Sequence, residues 1–358
     1  MRVSYSHHLV GLVARVEAAN TRLAAADPDR RAALAERSRR RAAALSARLD
    51  GSPLREDTVT EVDDGRVPSL DGAVPEGAGS GWVRAVRLES GEVQRLAAIE
   101  YHNLIGVAAI EDQLAELIHT DTRAALHALH QQIVGQLVDP DVIGQPRRTE
   151  QAVHDGAHGM VIYAAPPPDR AAEMMTELLD WLDRKVLTVH PAIVAGVVHE
   201  RILQAQPFEA GNGRVARAAT RLVLINRGID PAGAAVLEEE LIADAAAYYG
   251  EVAATIRRSD DLLPWLERHT GALARALERA ADQLDPRPLP GLPERGRDVV
   301  ASLPVSGMVN VRSYATDVGV DLRTARHDLE AFARAGVLAE VAGGHGLIFR
   351  KDQSAPDR

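Results

Sequence analysis

The sequence predicts a mainly α-helical protein: a helical body with one small β-hairpin, followed by a separate unit of helices with a hairpin wing. Three observations carry that expectation. Apolar residues recur at spacings of three and four through residues 5–50, as in Leu9, Val13 and Val16, and again from Glu92 past Leu129, the period of helices with one buried face. Aromatic residues make up 3% of the chain while hydrophobic residues reach 46%. The core is therefore built from Ala, Leu, Val and Ile, which favours closely packed helices. Short β-branched stretches are few, and the clearest, Gly159-Met160-Val161-Ile162-Tyr163, reads as one arm of a hairpin.

In chain order, residues 5–50 read as helices with a turn at Asp27-Pro28-Asp29. The cluster Arg37, Arg39, Arg40 and Arg41 reads as a solvated helix face. Residues 51–90, with Pro53, Pro68 and Pro75 among many Gly and Asp, lack periodicity and read as a long mobile loop. Residues 140–168 are broken by five prolines around the hairpin arm. Helices are expected over Arg170–Arg184, His190–Gln204, Gly213–Asn226 and about 243–257. Four prolines within residues 285–293 mark a linker. At 358 residues the chain has room for two or three domains: residues 1–91, a core over 92–283, the linker 284–293, and a unit over 294–352.

Composition excludes several function classes. A net charge of −10 argues against a globally basic nucleic-acid binder. The absence of cysteine removes disulfides, thiolate metal sites and thiol nucleophiles. No apolar run approaches membrane-spanning length, and the N-terminal residues lack a signal-peptide apolar region, so no membrane role and a cytoplasmic setting are expected. The Ala- and Arg-rich composition suits a GC-rich bacterial genome.

The most informative segment is Gln206-Pro207-Phe208-Glu209-Ala210-Gly211-Asn212-Gly213-Arg214-Val215-Ala216-Arg217. Pro207 stops the preceding apolar helix near Gln206. Gly211-Asn212-Gly213 permits positive φ angles, so successive N–H groups can form an anion-binding nest. A new helix begins there and points its positive end at the same place. Arg214 and Arg217, three apart, share a face of its first turns. Two guanidiniums, a nest and a helix N-terminus suit a di- or triphosphate. Glu209, just before the nest, is expected to hold a magnesium ion bridging phosphate oxygens.

This segment resembles the signature of Fic (filamentation induced by cAMP) proteins, His-Pro-Phe-x-(Asp/Glu)-Gly-Asn-Gly-Arg-x-x-Arg. The resemblance extends over roughly residues 30–275. Gly144–Arg148 with Val153 resembles the segment leading into the family's flap, and Gly159–Tyr163 the flap itself. Tyr248-Tyr249, with Trp265, resembles the region packed on the adenine. The resemblance implies an all-α fold with a hairpin flap, and transfer of AMP from ATP to a hydroxyl of a target protein. It assigns Arg214 to the inner phosphates, Arg217 to the γ-phosphate, Asn212 to the α-phosphate, Glu209 to Mg2+, and the flap (Gly159, Met160, Val161, Ile162, Tyr163) to strand addition with the target.

Two departures stand out. Gln206 occupies the place of the family's histidine, which accepts the target hydroxyl's proton; a neutral amide cannot. His199, about two helical turns earlier, reads as a packed helix histidine rather than a substitute base. Second, Ser46-Ala47-Arg48-Leu49-Asp50-Gly51 resembles the family's inhibitory motif (Ser/Thr)-x-x-x-Glu-(Gly/Asn), in which the acid pairs with the second arginine, here Arg217. Asp50 is a methylene shorter than Glu and is expected to reach Arg217 only weakly. The competing reading of this stretch is an ordinary helix end capped by Gly51. Glu100, in Ala98-Ile99-Glu100, is a lesser inhibitory candidate.

Residues 294–352 resemble a winged helix-turn-helix, with Asp321 capping a helix that carries Arg323, Thr324, Arg326 and His327. Nine basic and nine acidic residues from Glu294 to Arg358 favour packing or protein docking there over DNA reading. Two functions from different classes follow: a Fic-type nucleotidyltransferase with impaired activity, or a degenerate nucleotide-binding Fic protein acting as a regulator. The partners implied are ATP or another nucleotide and an unidentified target protein; a homo-oligomer is compatible with both.

Overall fold

The structure is a computed structural model that describes residues 3–68, 90–154, 160–185, 187–258, 261–284, 293–296, 299–300, 303, 307–334, 337–343 and 346–351. The chain divides into two compact units, Met1–Ala280 and Ala281–Arg358.

The first unit is a helical assembly around α8 (Pro191–Ala205), whose residues from Ala192 to Ala205 are all buried. The sequence explains why: α8 is apolar nearly all round, and such a helix has to be enclosed. His190 caps it by accepting from the Ala192 N–H, with Pro191 at the first helical position. Helix α9 (Asn212–Asn226) runs against α8. Helices α7 (Pro168–Lys185) and α11 (Ala245–Arg257) also pack on α8, while α5 (Glu111–Thr120) and α6 (Thr122–Val134) pack on α9.

Helix α2 (Pro28–Leu49) belongs to this assembly, packing on α4 (Ser90–Val107), α9 and α10 (Leu237–Ile242). Its buried residues include Leu34, Leu45 and Leu49 and also Ala35, Ala42, Ala43, Ala44 and Ala47, small side chains that let helices approach closely. Asp27 caps it by accepting from Arg30 N, with Pro28 following, the turn expected there. The arginine cluster is more than a solvated face. Arg39 pairs with Glu111 at 3.3 Å, Arg40 with Asp63 at 2.9 Å, and Arg41 with Glu239 at 2.5 Å. These pairs join α2 to α5, to α3 (Glu56–Asp63) and to α10.

Part of the stretch expected as a loop is therefore helical. Helix α3 has Glu56 and Asp57 in its first turn, where the helix dipole favours acids, and Val62 gives it a buried contact. The glycine-containing segment 69–89 and the linker residues 285–292 lie outside the described residues. The flap is β1 (Ala152–His154) paired antiparallel with β2 (Val161–Ala164), Val153 opposite Tyr163. Helices α1 (His7–Ala25) and α12 (Leu263–Leu284) complete the α elements up to residue 284.

The second unit holds β3 (Met308–Asn310), α13 (Val311–Val318), α14 (Leu322–Arg334), β4 (Leu338–Gly343) and β5 (Gly346–Lys351). Its antiparallel sheet has the order β3-β5-β4. The two-helix turn and the final hairpin stand where the sequence placed them; β3, three residues long, went unrecognised. Gly319, at φ 73°, ends α13, and Asp321 caps α14 by accepting from Arg323 N and Thr324 N. Tyr314, Leu329, Phe332 and Phe349 form its core. Among the described residues, no helix is long and apolar enough to cross a membrane.

Candidate functional site: the loop between α8 and α9

The loop is built by backbone constraints. Gln206 ends α8 in the left-handed region, φ 47° and ψ 61°, which non-glycine residues seldom adopt. Arg147 holds it there. Its Nε donates to Gln206 O at 2.6 Å, Nη1 to Thr149 O at 2.6 Å, and Nη2 to the carbonyls of Pro166 and Ala205. Its own N–H donates to Pro207 O at 2.9 Å. One buried guanidinium thus ties the end of α8 to both approaches of the flap.

Three further side chains shape the turn. Asn212 locks it reciprocally: Oδ1 accepts from Phe208 N at 2.9 Å and Nδ2 donates to Phe208 O at 2.8 Å. The residue expected on an α-phosphate spends both ends of its amide on the loop. His130, on α6, stacks on Phe208 with ring centroids 4.1 Å apart. Its Nδ1 accepts from Gly144 N at 2.8 Å, so Nε2 carries the proton and donates to Ala210 O at 3.1 Å. Burial lowers the His130 pKa to about 4, keeping the ring neutral. Gly211, at φ 74°, has no room for a side chain, because a Cβ there would meet Val134 Cγ1 at 2.8 Å.

The first turn of α9 presents the arginines. No side chain caps α9, so its leading N–H groups lack a capping acceptor. Arg214 and Arg217 are both buried. Asp50, at the end of α2, sits against both. Oδ1 accepts from Arg217 Nη2 at 2.9 Å and from the Tyr249 hydroxyl at 3.1 Å, while Oδ2 lies 3.4 Å from Arg214 Nε. Ser46 completes the grip: Oγ accepts from Arg217 Nε at 2.7 Å and its carbonyl from Nη2 at 2.8 Å. The shorter acid reaches Arg217 fully, against expectation, because Gly213 lets it come close. A Cβ on Gly213 would lie 2.6 Å from Asp50 Oδ1.

The two readings of this helix end are also not alternatives. Gly51 takes φ 84°, Gly51 N donates to Arg48 O, and Ser52 N to Ala47 O. That is a glycine-terminated helix end, and it is what delivers Asp50 to the arginines. Burial works against the charge of Arg217, but Asp50 holds its pKa above the ordinary guanidinium value. Behind these groups Glu100, fully buried on α4, lies 2.6 Å from Arg214 Nη1.

On the α8 side, the Gln206 amide Nε2 donates to Leu203 O at 2.7 Å, and the Tyr163 hydroxyl donates to the same carbonyl at 2.6 Å. His199 is the packed histidine expected. Thr220 Oγ1 gives its proton to Ala216 O, so His199 Nδ1 donates to Thr220 and Nε2 accepts from the Tyr248 hydroxyl at 2.8 Å. Burial drives the His199 pKa well below its usual value. Tyr248 and Tyr249 are both buried, with their hydroxyls committed to His199 and Asp50. Trp265 packs beside His199 and donates to Gly196 O at 2.7 Å.

The flap presents Met160 and Val161, 65% and 60% exposed, while Tyr163 anchors it inward; Ile162 is partly buried. Gly159 lies outside the described residues.

Glu209 requires a correction. The signature's acid directly precedes Gly-Asn-Gly, and that position here is Ala210; Glu209 stands one residue earlier. Its carboxylate accepts from Arg148 N at 2.6 Å, Thr149 N at 3.3 Å and Thr149 Oγ1 at 2.6 Å, which pins the segment entering β1. Burial would raise its pKa, but these donors hold it below the usual carboxylate range. Among the described residues, no group of three or more His, Asp or Glu side chains could hold a metal ion. With the Glu209 carboxylate taken by Arg148 and Thr149 and no side-chain oxygen at Ala210, the residues directly before the nest do not fit the expected magnesium ion.

Sequence reasoning missed His130 and the reach of Arg147. His130 sits alone on a helix, 80 residues from the carbonyl it holds, and no local pattern marks it.

Residues 121–224 match the Fic/DOC family. Over 158 residues the chain is 30% identical to the protein adenylyltransferase fic-1 of Caenorhabditis elegans, a match covering 42% of this chain and 29% of that protein. Over 135 residues it is 29% identical to the protein adenylyltransferase Fic of Drosophila erecta, covering 37% and 24%. The matched stretch thus spans less than a third of the length of these curated relatives. The fold is similar to that of a Fic family protein from Desulfovibrio desulfuricans, with a TM-score of 0.60 and 20% identity over 98% of both chains. It is also similar to that of a Fic domain protein from Bacteroides thetaiotaomicron, with a TM-score of 0.52 and 18% identity over 78% of this chain and 99% of the other. The matched residues run from the start of α6 through the flap and α8 into α9, so the chain carries a Fic/DOC family domain over residues 121–224.

Proposed function

We propose that this site binds a nucleoside triphosphate at the start of α9 and serves Fic-type transfer of AMP to a protein hydroxyl, with the transfer step strongly attenuated. The observation that carries the proposal is the seat of Asp50. A carboxylate lies between two buried guanidiniums, against Gly213, at an uncapped helix N-terminus. That is a place for an anion, and the chain fills it with one of its own. A nucleotide's phosphates would take Arg214 and Arg217 by displacing Asp50, the more exposed of the two carboxylates there.

Transfer would form a bond between the α-phosphorus and the target's hydroxyl oxygen and release pyrophosphate. The hydroxyl proton needs an acceptor. The Gln206 amide can orient the hydroxyl but cannot take its proton, and general-base catalysis is typically worth about 10²–10⁴-fold. The arginines would stabilise charge on the phosphoryl oxygens. The flap, with Met160 and Val161 outward, would align a target segment along β2.

A second reading, a nucleotide-binding regulator with no transfer activity, is favoured by one observation. The Gln206 amide is turned onto Leu203 O beside the Tyr163 hydroxyl. The strand, two-helix turn and hairpin of the second unit support a winged helix-turn-helix there, whose balanced charge favours protein docking over DNA.

The experiment is incubation with α-³²P-labelled ATP of the native chain, Gln206→His, Asp50→Gly and the double variant. Labelling that is weak in the native chain and strong in the double variant supports attenuated transfer. Absence of label in all four, with ATP still bound, leaves the regulator reading standing.

A further inference from the structure

Three carboxylates stand at the loop and the start of α9, and each is already matched. Asp50 serves Arg217, Arg214 and Tyr249. Glu100, with its side chain 1% exposed, faces Arg214 Nη1. Glu209 takes three donors from Arg148 and Thr149. Ala210, directly before the nest, has no side-chain oxygen, and its carbonyl is held by His130. A phosphate-bridging magnesium ion ordinarily keeps one or two protein carboxylates. Here a cation would have to take Glu209 from the flap or Glu100 from a buried guanidinium, at the cost of stranding charge or backbone donors.

We propose that the site holds its nucleotide phosphates without a divalent cation, the arginines and the α9 N-terminus supplying all of the positive charge. This rests on the nucleotide reading above. Arg217 Nη1 is buried without a hydrogen-bond partner, so the site has donor capacity to spare, while the one carboxylate that nucleotide binding frees, Asp50, is the one the phosphates push away from the arginines. Guanidiniums bind phosphate oxygens in a fixed, often bidentate geometry. A metal-free triphosphate carries more negative charge than its magnesium complex, so the uncomplexed form is the better ligand for such a site.

The test is calorimetric titration of ATP into the full-length Asp50→Gly protein, once with excess magnesium and once with EDTA. The proposal predicts affinity in EDTA equal to that in magnesium or up to about tenfold tighter. It also predicts that Ala210→Asp in the same background creates a preference for the magnesium complex. Binding at least tenfold tighter with magnesium, and weakened by Glu209→Gln, would overturn it while leaving the nucleotide reading intact. Binding of neither form would overturn that reading and this inference together. The same pair of titrations on the native chain carries the comparison if Asp50→Gly fails to fold.

Discussion

The two sides of one loop have been treated differently. On the α9 side, the nest glycines, Arg214 and Arg217 stand ready for phosphate, and Asp50 and Ser46 hold Arg217 with three contacts of 2.7–2.9 Å. On the α8 side, Gln206 stands where the Fic signature has histidine, and Ala210 stands where it has an acid. On the function proposed above, groups that would bind are kept, and groups that would do chemistry are replaced. The loop between them is nevertheless heavily braced by Arg147, His130, Asn212 and Glu209. Such bracing is what a binding site needs as much as a catalytic one, so a well-ordered loop is no sign of activity.

The largest effect should come from restoring the missing chemistry. Gln206→His with Asp50→Gly should raise AMP self-labelling by about 10²-fold or more over Asp50→Gly alone, the scale of a general base. Adding Ala210→Asp should raise it further and make it magnesium-dependent. If Gln206→His changes nothing, the two sides differ less than their residues imply.

Next comes the brace. Arg147→Ala strips partners from the carbonyls of Gln206, Thr149, Pro166 and Ala205. It should cost about 3 kcal/mol, the scale of breaking a buried charged network, read as a lowered denaturation midpoint. A loss under ~1 kcal/mol would show that α8 sets the Gln206 conformation without it.

The latch itself should trade stability for affinity. Asp50→Gly leaves Arg217 buried without its carboxylate, so the apo protein should lose about 3 kcal/mol. Saturating ATP should return most of that loss, because phosphate replaces the carboxylate.

The pH dependence follows from the buried histidines. His130, and His269 on α12 with its ring 5.1 Å from that of His199, are each lowered to about 4 by burial. Between that value and the unfolded value near 6.5, the unfolded chain binds more protons, so stability is complete above pH ~6.5 and falls as the pH drops towards ~4. Each would contribute up to about 3 kcal/mol over that window. His130→Asn should flatten the curve, measured by urea denaturation from pH 4.5 to 7.5.

The smallest effect separates the two carboxylates on Arg214. Glu100→Gln keeps an oxygen facing Nη1 and should change ATP affinity by less than about fivefold, whereas Glu100→Leu removes it and should weaken ATP and ADP alike.

Much of this was legible in the sequence, for physical reasons. Helix α8 announces itself by being apolar all round, and Pro207 and Gly211 mark where the chain must turn. The Ser46–Gly51 motif is local, so its residues could be named from spacing alone. Its geometry could not: the reach of Asp50 depends on the missing Cβ of Gly213, 163 residues away in sequence. Arg147 and His130 act through carbonyls that any residue could supply, so no side-chain pattern points to them. Glu209 looked like a metal ligand because an acid near a nest suits one. Only its backbone donors reveal that it pins the flap. The short strand β3 and helix α3 were missed because three to eight residues carry little periodicity.

The central claim, a phosphate-binding side kept and latched beside a chemical side removed, is tested most directly on one protein. ATP affinity and AMP self-labelling should be measured together for the native chain and Asp50→Gly. The account predicts that Asp50→Gly binds ATP at least about tenfold tighter, ~1.4 kcal/mol, while labelling stays far below that of the Gln206→His double variant. Robust labelling by the native chain, or unchanged affinity in Asp50→Gly, would contradict it.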